Sequence, residues 1–216
     1  MNNNNRNLVI SIGRECGSGG HEIGEKLAAH YGIKLYDKNL IEVLAQTSNQ
    51  DPNKLAKLEE RVKSSIFPVK KGGFSGQRTM LMNKLTEEDK LYLQEAALLK
   101  EMAATESFVI VGRAANAILD GLDNVVQLYV YADEEFKLPR VKEFYHLDTD
   151  KEAKKKMEQV DKARRDYFNY YSDMIWGSSD GHDFMINSGV FGIDETVRII
   201  IDLIDRKFAR AEKKTA

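Results

Sequence analysis

The chain has 216 residues, of which 42% are hydrophobic and 31% charged, with three prolines and one cysteine, Cys16. That balance fits one globular domain with insertions and excludes a disulfide framework and a cysteine-based zinc cluster. A net charge of −2 argues against a protein built to coat nucleic acid. No apolar run reaches the roughly 18–20 residues of a membrane-spanning helix, and the opening MNNNNRN lacks the apolar core of a secretory signal. The expected location is the cytoplasm.

The first element is the apolar run LVISI (residues 8–12), read as a strand covered on both faces. Directly behind it stands GRECGSGGHEIG, Gly13 to Gly24, and then a helix on which Ile23, Leu27 and Tyr31 recur, with Gly32 as its stop. Strand, glycine turn and helix together aim backbone N–H groups at one point, the geometry that suits phosphate. The dinucleotide pattern G-x-G-x-x-G fails, because Glu22 stands where its third glycine belongs. The mononucleotide pattern G-x-x-x-x-G-K-[ST] is met only loosely. Gly13 to Gly19 is one residue too long, Gly20 replaces the lysine, and His21 replaces the hydroxyl. A tight packing turn is the rival reading. Position behind the first strand, and Arg14 at the loop entrance, favour phosphate.

A second strand, IKLY (33–36), is followed by Asp37. About seventy residues then precede the third strand, far more than one crossover helix needs. They read as helices around a basic loop, VKKGGFSG; from Arg61 to Arg78 there are five basic residues and no acidic ones. Thr86 and Asp89 form a capping-box-like start for a helix over 87–105. FVIVG (108–112) leads into Arg113, and VVQLYVY (125–131) is the fourth strand. A long polar helical stretch follows, with ten basic and six acidic residues from Lys137 to Arg165. FMIN (184–187) is the fifth strand. The last helix is expected from about Asp194, with Val197, Ile200, Ile201 and Ile204 on its apolar side and a charged tail fraying beyond. Strands alternating with helices imply an α/β fold with a parallel sheet.

ISIGRECGSGGHEIGEKLA, LYDKNLI, VIVGRAANAIL, LYVYADEEFKLPRV, DKARRDYFNYY and FMINSGVFGIDETV together resemble the cytidylate kinase-like family, in the same order, from about Leu8 to Ile204. That family is a branch of the P-loop nucleoside monophosphate kinases, and the lysine-less G-S-G-G loop is typical of it. The resemblance implies one three-layer P-loop NTPase domain over 1–216, with a five-stranded parallel sheet. It also implies a helical acceptor-binding insertion over about 39–105 and a helical lid over about 141–171. The implied reaction moves a phosphoryl group from ATP, as its Mg2+ complex, to a nucleoside monophosphate, CMP or dCMP first. The implied partners are small-molecule nucleotides, with no nucleic acid and no membrane; oligomeric state and metal ligands stay open. Two rivals remain: a nucleotide-binding protein that lost turnover with its loop lysine, and a kinase for a different small acceptor.

The resemblance also distributes roles. Gly13, Gly17, Ser18, Gly19, Gly20 and His21 would meet ATP phosphates, with Arg14 standing in for the lysine, a compensation inferred from its place in the loop. Arg113, after the third strand, would hold the acceptor phosphate. Arg164 matches the lid arginine, with Arg165 beside it and Arg140 opening the lid toward ATP. Asp161, three and four residues before that pair, shares a helix face with them and joins the substrate contacts. Asp37 would orient the acceptor phosphate or a magnesium-bound water. Each has a structural alternative: an N-cap for Asp37, a surface ion pair worth about 0.3–0.5 kcal/mol for Arg165, and a first-turn surface position for His21. Ser18 is only a weak substitute for the usual hydroxyl ligand of magnesium. Cys16 reads as a small filler or as a thiol of lowered pKa near phosphate. His30, His146 and His182 show no metal-ligand spacing. Packing is the expectation for Trp176; Tyr167, Phe168, Tyr170 and Tyr171 are too tightly clustered for one face, so some are expected to pack the lid helix and one is a candidate to meet a base.

Overall fold

The computed structural model describes residues 7–64 and 85–215, with side chains over 7–59 and 85–210. The opening segment, the loop VKKGGFSG and most of the basic run from Arg61 to Arg78 lie outside the described residues.

Five strands, β1 (Val9–Arg14), β2 (Lys34–Tyr36), β3 (Phe108–Val111), β4 (Val125–Tyr131) and β5 (Phe184–Asn187), pair in the order β2-β3-β1-β4-β5, every pair parallel. Burial follows that order. The three inner strands are buried almost throughout, as their unbroken apolar runs require, whereas the edge strands β2 and β5 are partly exposed. The helices are α1 (Gly20–Tyr31), α2 (Leu40–Ser48), α3 (Pro52–Ser64), α4 (Glu87–Thr105), α5 (Ala115–Ile118), α6 (Glu134–Tyr145), α7 (Asp150–Tyr171) and α8 (Ser188–Thr215). One core unites α1 and α8 with one sheet face through Ile10, Ile12, Leu27, Leu128 and Ile200. A second unites α2, α4, α5 and the end of α7 through Leu40, Leu99, Phe108, Leu119 and Phe168. The fold is therefore a three-layer α/β sandwich. A third, small cluster of Cys16, Val141, Ala153 and Met157 ties the glycine loop to α6 and α7.

Thr86 and Asp89 form the expected capping box at α4. A second box, Thr149 with Glu152, opens α7. The last helix is interrupted by non-helical Gly192, so one turn from Ser188 precedes the long segment expected from about Asp194. That segment continues through Thr215. Among the described residues, no helix is long and apolar enough to cross a membrane.

Candidate active site

Strand order reverses at β1, which lies between β3 and β4. Ligands of open α/β sheets collect beyond the carboxyl ends of strands at such a point. A cleft of about 1290 Å³ opens there, bordered by the glycine loop, Asp37, Arg113, Arg140, Arg164 and the helical pair α6–α7. Adjoining it, a smaller pocket of about 60 Å³ is lined by Gly13, Arg14, Arg113, Asn116, Tyr129, Arg164 and His182, among others.

The glycine loop is anchored by its own backbone and by neighbours. Glu15 N–H donates to the Val130 carbonyl at 3.0 Å, and the Ser188 hydroxyl donates to the Ser18 carbonyl at 2.6 Å. Its glycines make room for specific neighbours. A Cβ on Gly13 would stand 2.8 Å from the Tyr129 ring, one on Gly17 2.7 Å from Val141, and one on Gly19 2.2 Å from Ile193. Gly17 and Gly19 also have left-handed φ of +81° and +78°, which favour glycine. The packing account is thus correct for these glycines, and it leaves the outer face of the loop, from Gly19 to His21, open to the cleft.

Three guanidiniums converge beside that face. Arg14, at the end of β1, has Asp37 Oδ1 4.0 Å away as its carboxylate partner. Burial, and then Arg164, pull its pKa down to about 9, with Asp37 opposing them. Arg164, on α7, pairs with Asp161 Oδ1 at 3.1 Å and donates to the Arg14 carbonyl at 3.3 Å. Arg113 sits in a run of three left-handed residues, Gly112, Arg113 and Ala114, with φ of 80°, 62° and 51°. Such backbone is costly for non-glycine residues, and here it turns Arg113 inward. Its guanidinium donates to Glu95 at 2.7 Å and to the Asp37 carbonyl at 3.2 Å, and pairs with Glu59 at 2.8 Å. Burial works against that charge, but Glu95 and Glu59 outweigh it and hold the group above its ordinary range.

The other expected residues divide. Asp37 does not cap α2. Asn39 holds the cap position, the Asp37 N–H donates to Asn39 Oδ1 at 2.8 Å, and the Asp37 carboxylate faces Arg14 and stands 3.2 Å from His21 Nδ1. His21 also lies 3.5 Å from Glu25, and Arg140 pairs with Glu22 at 2.7 Å; both border the cleft. Ser18 turns inward, fully buried, its hydroxyl donating to the Glu15 carbonyl at 2.9 Å. Arg165 stacks over the Trp176 ring at 5.5 Å, away from the guanidinium cluster, because successive helix residues point apart. Asp161 accepts from the Cys16 N–H at 2.8 Å and from Arg164, so it fastens α7 to the loop. Cys16 is a buried filler in the α6–α7 cluster, and burial raises its pKa instead of lowering it.

Sequence reasoning missed Glu59 and Glu95. Glu95 was visible in principle: it occupies a place in the buried stripe Leu91, Tyr92, Leu98, Leu99 and Met102 of α4 where an apolar residue belongs. Among the described residues, no group of three or more His, Cys, Asp or Glu is arranged to hold a metal ion.

Residues 9–190 match the cytidylate kinase-like family. Among solved structures, the chain is similar to an uncharacterized protein from Eubacterium ventriosum ATCC 27560, at 30% identity and a TM-score of 0.69, covering 92% of this chain and 98% of that one. It is also similar to a gluconokinase from Sinorhizobium meliloti 1021, at 15% identity and a TM-score of 0.54, covering 97% and 98%; at that identity the likeness concerns the fold alone. No curated protein matches the chain.

Proposed function

The chain belongs to the cytidylate kinase-like family, and from that premise we propose that it transfers the terminal phosphoryl group of Mg-ATP to a nucleoside monophosphate, CMP or dCMP first. One observation carries the reading: Arg14, Arg113 and Arg164 converge where the glycine loop meets the cleft. Phosphoryl transfer asks a protein mainly for alignment and for positive charge spread over the moving group, and planar guanidiniums suit phosphate oxygens. In this reading Gly19, Gly20 and His21 border the ATP phosphates. Arg140 flanks them, and Arg164 reaches the transferred group from the lid. Asp161 acts at one remove, by holding Arg164 and the loop together. Asp37 is the carboxylate nearest to Arg14, in place to orient the acceptor, and the metal ion arrives as part of the nucleotide complex. The α6–α7 pair serves as the lid and α2 to α4 as the acceptor arm; closure of a lid excludes water from the transfer.

A second reading, an acceptor without a phosphate group, is favoured by the pairing of Arg113. Its guanidinium is occupied by Glu59, Glu95 and the Asp37 carbonyl, so an acceptor phosphate would have to displace a carboxylate.

Release of ADP from Mg-ATP, measured against a panel of nucleoside monophosphates and of unphosphorylated alcohols and sugar acids, tests both. Arg164→Ala is the control, because Arg164 is partly exposed and its partner Asp161 keeps the Cys16 N–H as a donor. Acceptor-dependent ADP with CMP or dCMP, reduced at least about a hundredfold by Arg164→Ala, is expected. Turnover confined to unphosphorylated acceptors selects the second reading. ATP that raises the melting temperature with no acceptor-dependent ADP sinks both and leaves a nucleotide-binding protein.

A further inference from the structure

We infer, resting on the kinase reading above, that Arg14 supplies the loop charge that a lysine gives in other phosphate loops, and that position 20 is glycine in order to admit it. The two residues exclude one another. A Cβ built on Gly20 would lie 2.6 Å from Arg14 Cβ and 3.0 Å from its Cγ, closer than side-chain carbons approach. No backbone demand explains that glycine. Gly20 opens α1 and is absent from the positive-φ residues, so any L-amino acid could adopt its conformation. Helix propensity also disfavours glycine there. Space for the root of the side chain at position 14, its Cβ and Cγ, accounts for it.

A second glycine completes the slot. Gly112, at the end of β3, would carry a Cβ 2.0 Å from Arg14 Nη1 and 2.9 Å from its Cζ. The Arg14 side chain therefore runs from β1 past the first turn of α1 to the end of β3, flanked by a glycine at its root and another at its tip. The guanidinium so placed borders both the cleft and the smaller pocket adjoining it. Its side chain is only 19% exposed, and its carboxylate partner Asp37 stands at 4.0 Å, beyond hydrogen-bond reach. Arg113 and Arg164, by contrast, are each committed to carboxylates at 2.7–3.1 Å. Among the described residues, Arg14 is thus the member of the cluster whose donors remain available to an anion. A phosphate there would also offset the burial and the neighbouring Arg164 that disfavour its charge.

The arrangement predicts reciprocal behaviour in a mutant cycle read by Mg-ATP affinity in calorimetry, with thermal melting as the folding control. Arg14→Ala is expected to weaken Mg-ATP binding at least about tenfold, the loss of a charge-assisted contact. Gly20→Ala is expected to weaken it as well, although no charge changes, because its Cβ pushes Arg14 aside. Gly20→Lys alone fails for the same reason. Arg14→Gly combined with Gly20→Lys, which removes the Cβ at position 14 as well, recovers affinity above Arg14→Ala and above Gly20→Lys alone, since the vacated slot admits the lysine. If Arg14→Ala does not fold, Arg14→Met keeps the stem and removes only the charge. Arg14→Ala, or Arg14→Met in its place, binding Mg-ATP within about twofold of the natural chain overturns the inference. So does Gly20→Lys binding at least as tightly as the natural chain with Arg14 present. The two readings fail separately. A cycle that behaves as expected with no ADP from any acceptor sinks the kinase reading and leaves this inference standing; a natural chain that binds no Mg-ATP overturns both.

Discussion

Arg113 shows how much stability one side chain can concentrate. It is largely buried, and the two carboxylates that face it, Glu59 and Glu95, come from different helices. Replacing it with alanine takes a cationic partner from both largely buried carboxylates, and breaking a buried pair from one side costs roughly 3–5 kcal/mol. Arg113→Ala is therefore expected to lose about that much in chemical denaturation, and Arg113→Ala with Glu95→Gln to regain part of it. A loss below about 1 kcal/mol would mean that the pairs behave as solvated surface ions. The arginine itself was legible in VGRAAN, because cationic residues at the end of a parallel strand are ligand candidates. Its partners were harder to see. A glutamate on a helix is ordinarily a surface residue, and only its place inside the apolar stripe of α4 separates Glu95 from the others. Arg164 and Arg165 give the converse lesson: as neighbours in sequence they were read together, yet the helix sends one to the site and the other to the Trp176 ring.

At the scale of elements, the five strands stood out in the sequence because buried parallel strands are continuous apolar runs; β4 and β5 have the expected bounds, and the other three differ by at most two residues at either end. Helix starts were legible where side chains close them. Thr86 with Asp89 was recognised; Thr149 with Glu152, which meets the S/T-x-x-E pattern more closely, was not, being set in a run so rich in charge that no apolar stripe marks the helix. That second box matters for the α6–α7 pair, the lid of the proposed function. Its Thr149 hydroxyl lies 2.8 Å from Glu152 Oε2 and accepts from the Glu152 N–H at 3.2 Å. Thr149→Ala should cost about 1 kcal/mol of helix stability and raise hydrogen exchange in the first turns of α7, while amides of β1 and β3 keep their protection. Equal loosening of the sheet would show that the cap acts on the whole fold. The short helix α5 was not anticipated at all: four residues are too few to establish a period, and it follows three left-handed residues.

The whole molecule should carry a pH signature from one histidine. His182 stands against Tyr129 with ring centroids 5.2 Å apart, and its Nδ1 lies 2.8 Å from the Ser178 carbonyl. Burial lowers its pKa below the ordinary 6.5, against the Ser178 contact and Asp183. The folded chain therefore binds fewer protons there than the unfolded chain once pH falls below about 6.5, so stability is full above that value and declines as pH drops toward the folded pKa. The melting temperature should fall as pH is lowered from about 6.5, and His182→Gln should flatten the early part of that fall. An unchanged slope would assign it to carboxylates instead. None of this was visible in the sequence, where His182 is one of four scattered histidines; the environment that perturbs it is assembled from β4 and the segment ahead of β5.

The mutual exclusion of Arg14 and any side chain at position 20 also bears on descent. A loop charged from the end of β1 and a loop charged from the first turn of α1 are two solutions to one problem, and they differ at two positions. A lineage passing between them by single steps meets either a chain carrying both side chains in one slot or a chain carrying neither charge. Both intermediates are handicapped, so each form of the loop is expected to persist once established. A search for ancestry keyed to the lysine would then pass over a whole branch that had solved the problem the other way.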